Sequence, residues 1–218
     1  MKDVDAAIVL AVDISQSIDR ENAMRQKQGH VDALRSRQLV NAIKSGPHGC
    51  IAITYVEWAS SGSLQTVLPW TLICDSSQAM TAADQIDGIA FNGFSRRSDR
   101  RTSLSYAIDA SSLLLEQFPT HASRKVIDIS SNGTNNDGMP VAGSRLRALG
   151  RGHIINGIVL ALREPGVTDN LPGYFRDNII GGPGAFVIAP RKPADYSTAL
   201  LRKLVLEIAG IAGEAHLE

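Results

Sequence analysis

The sequence predicts a three-layer α/β fold, in which a mainly parallel central sheet with one antiparallel edge strand carries helices on both faces. Three observations predict it. Short runs rich in Val and Ile alternate with amphipathic stretches, as is typical of βα units. The first run, residues 6–12, is almost continuously apolar, as expected of a central strand covered on both sides. Two further runs, residues 51–59 and 63–73, flank Ser60-Ser61-Gly62, a turn sequence that predicts an antiparallel hairpin.

The other elements follow from the period of the apolar residues. Helices are predicted from about Asp19, around residues 39–43, and over residues 76–89, 102–118, 141–149 and 194–209. Strands are predicted over residues 125–130, 154–162 and 185–188, and a loop rich in Gly and Pro separates the last two. In the first helix, Met24, Val31 and Leu34 are predicted to face inward.

Length and charge restrict the function classes. With 218 residues and no linker or internal repeat, the chain is predicted to form a single domain over residues 5–210, with residues 1–4 and 211–218 as terminal extensions or residues left by cloning. The formal net charge is zero, which argues against a nucleic-acid partner because such binding needs an excess of Lys and Arg. No apolar run approaches the roughly 20 residues that span a bilayer, so no membrane insertion is expected.

Cys50 and Cys74 flank the two strands of the predicted hairpin. If the turn centres near Ser61-Gly62, the two cysteines lie almost opposite each other, within the range that a disulfide can bridge. Two buried thiols, the usual state of cysteine in the cytosol, are the alternative. A disulfide would indicate an oxidising compartment such as a bacterial periplasm.

The sequence Asp13-Ile14-Ser15-Gln16-Ser17 directly follows the first predicted strand. Ligands of open α/β sheets bind beyond the carboxyl ends of the strands. In an extended loop, Asp13, Ser15 and Ser17 share one side, and their oxygens suit magnesium, manganese or calcium better than zinc or copper. These oxygens are too few to fill six coordination positions, so water or a carboxylate from another molecule would complete the shell.

This motif resembles the von Willebrand factor A family, whose metal-ion-dependent adhesion site (MIDAS) begins with Asp-x-Ser-x-Ser. The resemblance covers about residues 5–209 and implies a Rossmann-like fold without enzymatic activity. It further implies that Thr102 and the residue after the fourth strand complete a site for Mg²⁺, or for Mn²⁺ or Ca²⁺. The implied partner is a protein that presents a Glu or Asp to the ion. At the last position the family usually has Asp-Gly, whereas this chain has Asn132-Gly133.

At two positions the chain departs from the family pattern, which weakens the inference of a metal site. Asn132 replaces a carboxylate with a neutral amide, which predicts weak metal binding or binding only together with the partner. Arg101 stands where the family often has Gly, and with Arg96, Arg97 and Arg100 it forms a basic cluster. That cluster would favour an acidic partner, although a solvated loop is the simpler interpretation. Asp128 and Asp137 lie near the same loop, but neither is expected to replace Asn132.

Several stretches also resemble a bacterial group of A-type domains to which no reaction or partner is assigned. They are Gly46-Pro47-His48-Gly49, Tyr55-Val56-Glu57-Trp58, Pro69-Trp70-Thr71-Leu72-Ile73 and residues 180–186. Members of that group commonly carry an export signal. The resemblance therefore implies a periplasmic or secreted protein whose signal is missing from these residues, with a cytoplasmic protein as the alternative.

Two other functions stay open. The first is a scaffold of the same fold with a degenerate, metal-free site that binds partners through its surface. The second is a metal-dependent hydrolase or a phosphotransferase with Asp13 as nucleophile, although Ser15 occupies the position where a second carboxylate is needed. A serine hydrolase lacks its nucleophile elbow, and dinucleotide binding lacks Gly-x-Gly-x-x-Gly after the first strand.

Overall fold

The computed structural model describes residues 2–89, 101–160 and 170–210. Within these ranges the chain forms strands that alternate with α-helices. The strands are β1 (Ala6–Asp13), β2 (Ile51–Trp58), β3 (Leu64–Ile73), β4 (Lys125–Ser131), β5 (Ile154–Val159) and β6 (Val187–Ile188). The helices are α1 (Arg20–Arg35), α2 (Arg37–Lys44), α3 (Ser76–Gly88), α4 (Leu104–Glu116), α5 (Val141–Gly150), α6 (Leu171–Asn178) and α7 (Tyr196–Ala209). A short 3₁₀ helix, Pro193–Asp195, precedes α7.

The described strands form one sheet in the order β3-β2-β1-β4-β5-β6. Neighbouring strands are parallel except for β2 and β3, which form the predicted hairpin at the edge. The predicted fold class is therefore confirmed. β1 lies between β2 and β4, so its carboxyl end is surrounded by the ends of two parallel strands and can contribute to a common site.

Alternate residues of β1 contribute to two separate apolar cores. Ile8 and Leu10 belong to the core that also contains Leu34 of α1 and Leu204 of α7. Ala7 and Val9, on the opposite face, belong to the core that contains Leu104 and Ile108 of α4. Since every residue of β1 is buried, the sheet is the middle one of three layers.

The hairpin closes as expected, and its ends are covalently linked. Gly62 in the turn has φ +79°, a conformation that favours glycine. At the open end, Ile51 pairs with Ile73, and the preceding and following residues, Cys50 and Cys74, form a disulfide with Cα atoms 4.2 Å apart. No helix in the described ranges has the length and apolar character that crossing a bilayer requires.

Two predictions about helices are wrong. Met24 is 42% exposed, whereas Val31 and Leu34 are buried as expected. The buried side of α1 carries the polar residues Gln26 and His30, which apolar periodicity alone does not place inside. In addition, the predicted Gly/Pro loop contains α6, which begins with an Asn170 side-chain cap and a proline in its first turn.

Three predicted boundaries also differ. α4 begins at Leu104 with Ser103 as its cap, so Thr102 precedes the helix instead of opening it. β6 is limited to Val187–Ile188, and β5 ends at Val159. The predicted strand end at residues 161–162 lies outside the described residues.

Candidate metal centre

The residues of the sequence motif meet where β1 and β4 end side by side. Asp13 is the last residue of β1, and Asn132 follows the last residue of β4, Ser131. Because the two strands are parallel and in direct register, both ends reach the same edge of the sheet. The segment before α4 lies at the same end of the sheet, since Ser103 N–H donates to the carbonyl of Ala59, the residue that follows β2.

Four side chains from three loops form a continuous chain of polar contacts. Thr102 Oγ1 donates to Ser15 Oγ over 3.1 Å, and Ser15 Oγ lies 3.2 Å from Ser17 Oγ. Ser17 Oγ in turn donates to Asn132 Oδ1 over 2.8 Å. Ser15, Thr102 and Asn132 are buried, whereas Ser17 is exposed. The cluster is therefore assembled inside the protein and reaches solvent at Ser17.

Asp13 supplies the single carboxylate of this cluster, and it is fully buried. Its Oδ1 accepts the backbone N–H of Ser15 over 2.7 Å, and its Oδ2 accepts the hydroxyl of Ser131 over 2.5 Å. Burial raises the pKa of Asp13 to about 6, and the hydrogen bonds from Ser131 and Ser15 oppose that rise. A buried carboxylate whose hydrogen bonds come from neutral groups keeps an uncompensated charge, which a cation would balance.

Ser17 forms hydrogen bonds with both the oxygen and the nitrogen of the Asn132 side-chain amide. Its Oδ1 accepts the Ser17 hydroxyl, and its Nδ2 donates to the Ser17 carbonyl over 2.9 Å. Gly133 lies beside Thr102, because a Cβ built on this glycine would be 3.4 Å from Thr102 Oγ1. The loop after β4 thus contacts both the Ser17 loop and the Thr102 segment.

The acidic and basic neighbours have other partners or lie outside the described ranges. Asp128 is buried and forms an ion pair with Lys203 over 2.5 Å. Asp137 Oδ2 accepts the backbone N–H of Ser61 over 2.7 Å, as part of the hairpin turn. As expected, neither carboxylate replaces Asn132. Arg101 is exposed, and the rest of the predicted basic cluster, Arg96, Arg97 and Arg100, lies outside the described residues.

Sequence reasoning missed two residues that support Asp13. Ser131 donates to its carboxylate, and Gln26 Nε2 donates to its backbone carbonyl over 3.0 Å. Gln26 also accepts the hydroxyl of Ser130 through Oε1, so it connects β1 with β4. The position of Ser131 next to Asn132 could have indicated the first contact. For Gln26, a polar residue on the buried side of an amphipathic helix, the sequence contains no comparable signal.

The side-chain oxygens of this cluster are of the kind that suits a hard cation. Among the described residues there is no group of three or more His, Cys, Asp or Glu side chains that could hold a metal. A cation at this edge would depend on one carboxylate together with hydroxyl and amide oxygens, the ligands that suit Mg²⁺, Mn²⁺ and Ca²⁺. A hydroxyl oxygen that accepts one hydrogen bond keeps a lone pair for such an ion.

Comparisons with solved structures agree with this architecture. Proximal thread matrix protein 1 from the mussel byssus, solved with a zinc-occupied MIDAS motif, superposes with a TM-score of 0.67 at 18% identity over 95% of this chain and 48% of that one. This chain thus spans about half the length of the mussel protein. The conserved hypothetical protein BatB from Bacteroides thetaiotaomicron has a TM-score of 0.62 at 15% identity, over 94% of this chain and 99% of that one.

A third similar structure is the vWF domain of the type V pili tip protein Mfa5 from Porphyromonas gingivalis, with a TM-score of 0.60 at 8% identity and coverage of 99% and 98%. Identities this low show a shared fold and nothing more. Comparison with curated proteins finds no match. The model of a family described as protein of unknown function, DUF1194, matches residues 3–212. The chain therefore belongs to the DUF1194 family, and its fold is that of the von Willebrand factor A domain.

Proposed function

We propose that this protein is a protein-binding module that depends on a divalent cation held by Asp13, Ser15, Ser17, Thr102 and Asn132. Mg²⁺ is the expected ion, with Mn²⁺ or Ca²⁺ as substitutes. A Glu or Asp of a protein partner completes the coordination. The carrying observation is that Thr102, Ser15, Ser17 and Asn132 form one connected cluster beside the buried Asp13 carboxylate. The mussel protein with an occupied MIDAS motif supports the proposal through its similar fold.

The charge of the cluster favours an acidic partner. One carboxylate neutralises half the charge of a divalent ion, and Asn132 adds a dipole without a charge. The ion therefore keeps a net positive charge that water stabilises less well than a carboxylate does. We expect metal and partner to bind cooperatively, so that each raises the affinity for the other by the same factor.

Calorimetric titration with Mg²⁺ and with Mn²⁺ tests the metal site. The unmodified protein should give a saturable heat that Asp13→Asn abolishes. Asp137→Asn is the matched control, because Asp137 is a nearby loop carboxylate that contacts Ser61 outside the cluster. Titration with Zn²⁺ shows whether the ion of the mussel protein also binds here. Absence of metal-specific heat in the unmodified protein would reject the metal site.

The partner chemistry has its own test. Metal titrations are repeated with acetate and with a short peptide that contains Glu, each at saturating concentration. The proposal expects tighter metal binding with either carboxylate and no change with the corresponding amide, acetamide or a Gln peptide. Equal effects of acid and amide would contradict coordination by an acidic side chain.

One observation favours a second candidate function, a metal-free interaction module. The polar groups of the cluster already form hydrogen bonds with one another, since Ser17 bonds to both the oxygen and the nitrogen of the Asn132 amide. A cation would have to replace some of these hydrogen bonds. If partner binding persists in the Asp13→Asn variant and in the presence of a chelator, the metal-free module is the correct assignment.

The same cluster makes an enzymatic role the weakest proposal. A phosphotransferase with Asp13 as nucleophile needs an accessible carboxylate, whereas Asp13 is fully buried and accepts hydrogen bonds from Ser15 and Ser131. Turnover of a phosphate ester that depends on Asp13 would nevertheless establish it. We place the protein in the periplasm or outside the cell, since the Cys50–Cys74 disulfide suits an oxidising compartment.

A further inference from the structure

Asn132 is followed by glycine, and Asn-Gly is a reactive sequence. The backbone nitrogen of the second residue can attack the side-chain carbonyl carbon of Asn, and glycine hinders this attack least because it has no Cβ. The chain contains three such pairs, Asn92-Gly93, Asn132-Gly133 and Asn156-Gly157. The second pair lies in the candidate metal centre, the third lies in β5, and Asn92-Gly93 lies outside the described residues.

The surroundings of Asn132-Gly133 contain groups that can assist this attack. Gly133 N–H donates to Ser131 Oγ over 3.2 Å, and Ser131 Oγ donates to Asp13 Oδ2 over 2.5 Å. The two hydrogen bonds form a route by which the proton of the attacking nitrogen can reach a carboxylate, as in general base catalysis. The Ser17 hydroxyl donates to Asn132 Oδ1 over 2.8 Å, so it polarises the carbonyl under attack and stabilises the oxyanion that develops.

We propose that Asn132 is a self-modification site, at which Gly133 attacks the side chain of Asn132 and water then converts it to aspartate. In the first step a bond forms between Gly133 N and Asn132 Cγ, and the bond from Cγ to Nδ2 breaks. Ammonia leaves with the proton of Gly133 N, and a cyclic succinimide remains. In the second step water adds to Cγ, because its oxygen is the one that the Ser17 hydroxyl polarises, and the new bond to Gly133 N breaks. The backbone N–H is restored, and residue 132 is an aspartate.

Asn156-Gly157 provides an internal comparison in which these groups are arranged differently. Asn156 lies in β5, where its Nδ2 donates to Glu207 Oε1 and its Oδ1 accepts the backbone N–H of Phe186. Gly157 N–H donates to the carbonyl of Phe186 over 3.1 Å. A carbonyl oxygen has no proton of its own to pass on, so this nitrogen lacks the relay that Ser131 and Asp13 form. We expect Asn156 to remain an amide.

The consequence concerns the metal centre and rests on the proposed function. Conversion of Asn132 adds a second carboxylate to a cluster that has one, and more ligand charge tightens the binding of hard cations. The protein would then bind the cation weakly while residue 132 is Asn, and its affinity for the cation would increase as the protein ages.

The modification is tested by mass spectrometry of peptides from folded protein incubated in metal-free neutral buffer. Residue 132 should gain the mass difference between amide and acid, while Asn156 should not. Conversion should be faster by at least about tenfold than in a synthetic peptide of the same local sequence, because the peptide lacks the proton relay through Ser131 and Asp13. Ser131→Ala should reduce the rate to that of the peptide. A folded rate equal to or below the peptide rate, or isoaspartate as the main product, would overturn the proposal.

Gly133→Ala is the second variant, because its added Cβ makes an ordinary contact with Thr102 and should leave the fold intact. It should convert far more slowly, and conversion at the native rate would contradict attack by this nitrogen. Metal titration of fresh protein, aged protein and Asn132→Asp separates the two proposals. If residue 132 converts and neither aged protein nor Asn132→Asp binds a cation, the modification stands and the proposed metal function fails.

Discussion

Thr102 and Asn136 are joined by two hydrogen bonds that fix the backbone of Thr102. Thr102 N–H donates to Asn136 Oδ1 over 2.8 Å, and Asn136 N–H donates to the Thr102 carbonyl over 2.9 Å. The loop after β4 therefore positions two parts of the candidate site, Asn132 directly and Thr102 through Asn136. The same loop contacts the start of α4, since Asn135 Oδ1 accepts Ser105 N–H over 3.0 Å.

Asn136→Ala should weaken metal binding more than it weakens the fold. The substitution removes the side-chain bond to Thr102 N and keeps the backbone bond. We expect an affinity loss of about tenfold, as is typical when a residue that orients a ligand is lost. The free energy of unfolding should fall by about 1 kcal/mol. Asn135→Ala is the control, because it removes a similar bond to Ser105 and a second one to the Met139 carbonyl, and neither bond touches Thr102. Equal loss of affinity in both variants would contradict a specific role for Asn136.

Ser131→Ala should destabilise the protein because it leaves the Asp13 carboxylate with one hydrogen bond fewer. Loss of a buried hydrogen bond to a charged group costs about 1.5–3 kcal/mol, to be measured by urea unfolding in the presence of a chelator. The control is Ser111→Ala. The buried hydroxyl of Ser111 has no hydrogen-bond partner among the described residues, so its removal should be neutral or stabilising. A smaller loss in Ser131→Ala than in Ser111→Ala would be inconsistent with the contact to Asp13.

The fold could be predicted from the sequence because its strands are short runs rich in apolar residues, and its helices show a regular spacing of apolar residues. The buried residues of β1 form a continuous apolar run, and the hairpin is marked by Ser60-Ser61-Gly62. α6 could not be predicted in this way, because Pro172 and Gly173 resemble loop residues unless the Asn170 cap is recognised. The prediction that Met24 faces inward was wrong for a related reason, because polar side chains occupy part of the buried side of α1.

The candidate site was predicted in its main residues but not in its surroundings. Local spacing indicates Asp13, Ser15 and Ser17, whereas Thr102 and Asn132 were placed by resemblance to the family. The structure brings the five together, and their role as metal ligands stays a prediction. The contacts of Ser131, Gln26 and Asn136 depend on which loops meet in space. No spacing along the chain encodes such contacts.

Removal of the disulfide should cost substantial stability. Cys50 and Cys74 are 24 residues apart in sequence, and closing a loop of that size contributes about 3.5 kcal/mol in the chain-entropy estimate. The double variant Cys50→Ala, Cys74→Ala should lose about this amount in denaturant unfolding. A reductant should destabilise the native protein by a similar amount and leave the double variant unchanged. If the reductant destabilises both proteins equally, the effect comes from elsewhere in the chain.

His30 should make the protein less stable as the pH falls. It is fully buried, its Nδ1 contacts the Gln26 carbonyl at 2.8 Å, and burial lowers its pKa below the ordinary value of 6.5. Below that value the unfolded chain binds a proton that the folded protein binds less readily, so acid favours unfolding. His30→Phe keeps a ring against Tyr55, where the native rings lie edge to face. The native protein should therefore lose stability relative to His30→Phe when urea unfolding is followed from above pH 7 down through pH 6.5. A difference in unfolding free energy that stays constant over this range would show that His30 titrates alike in the folded and unfolded chain.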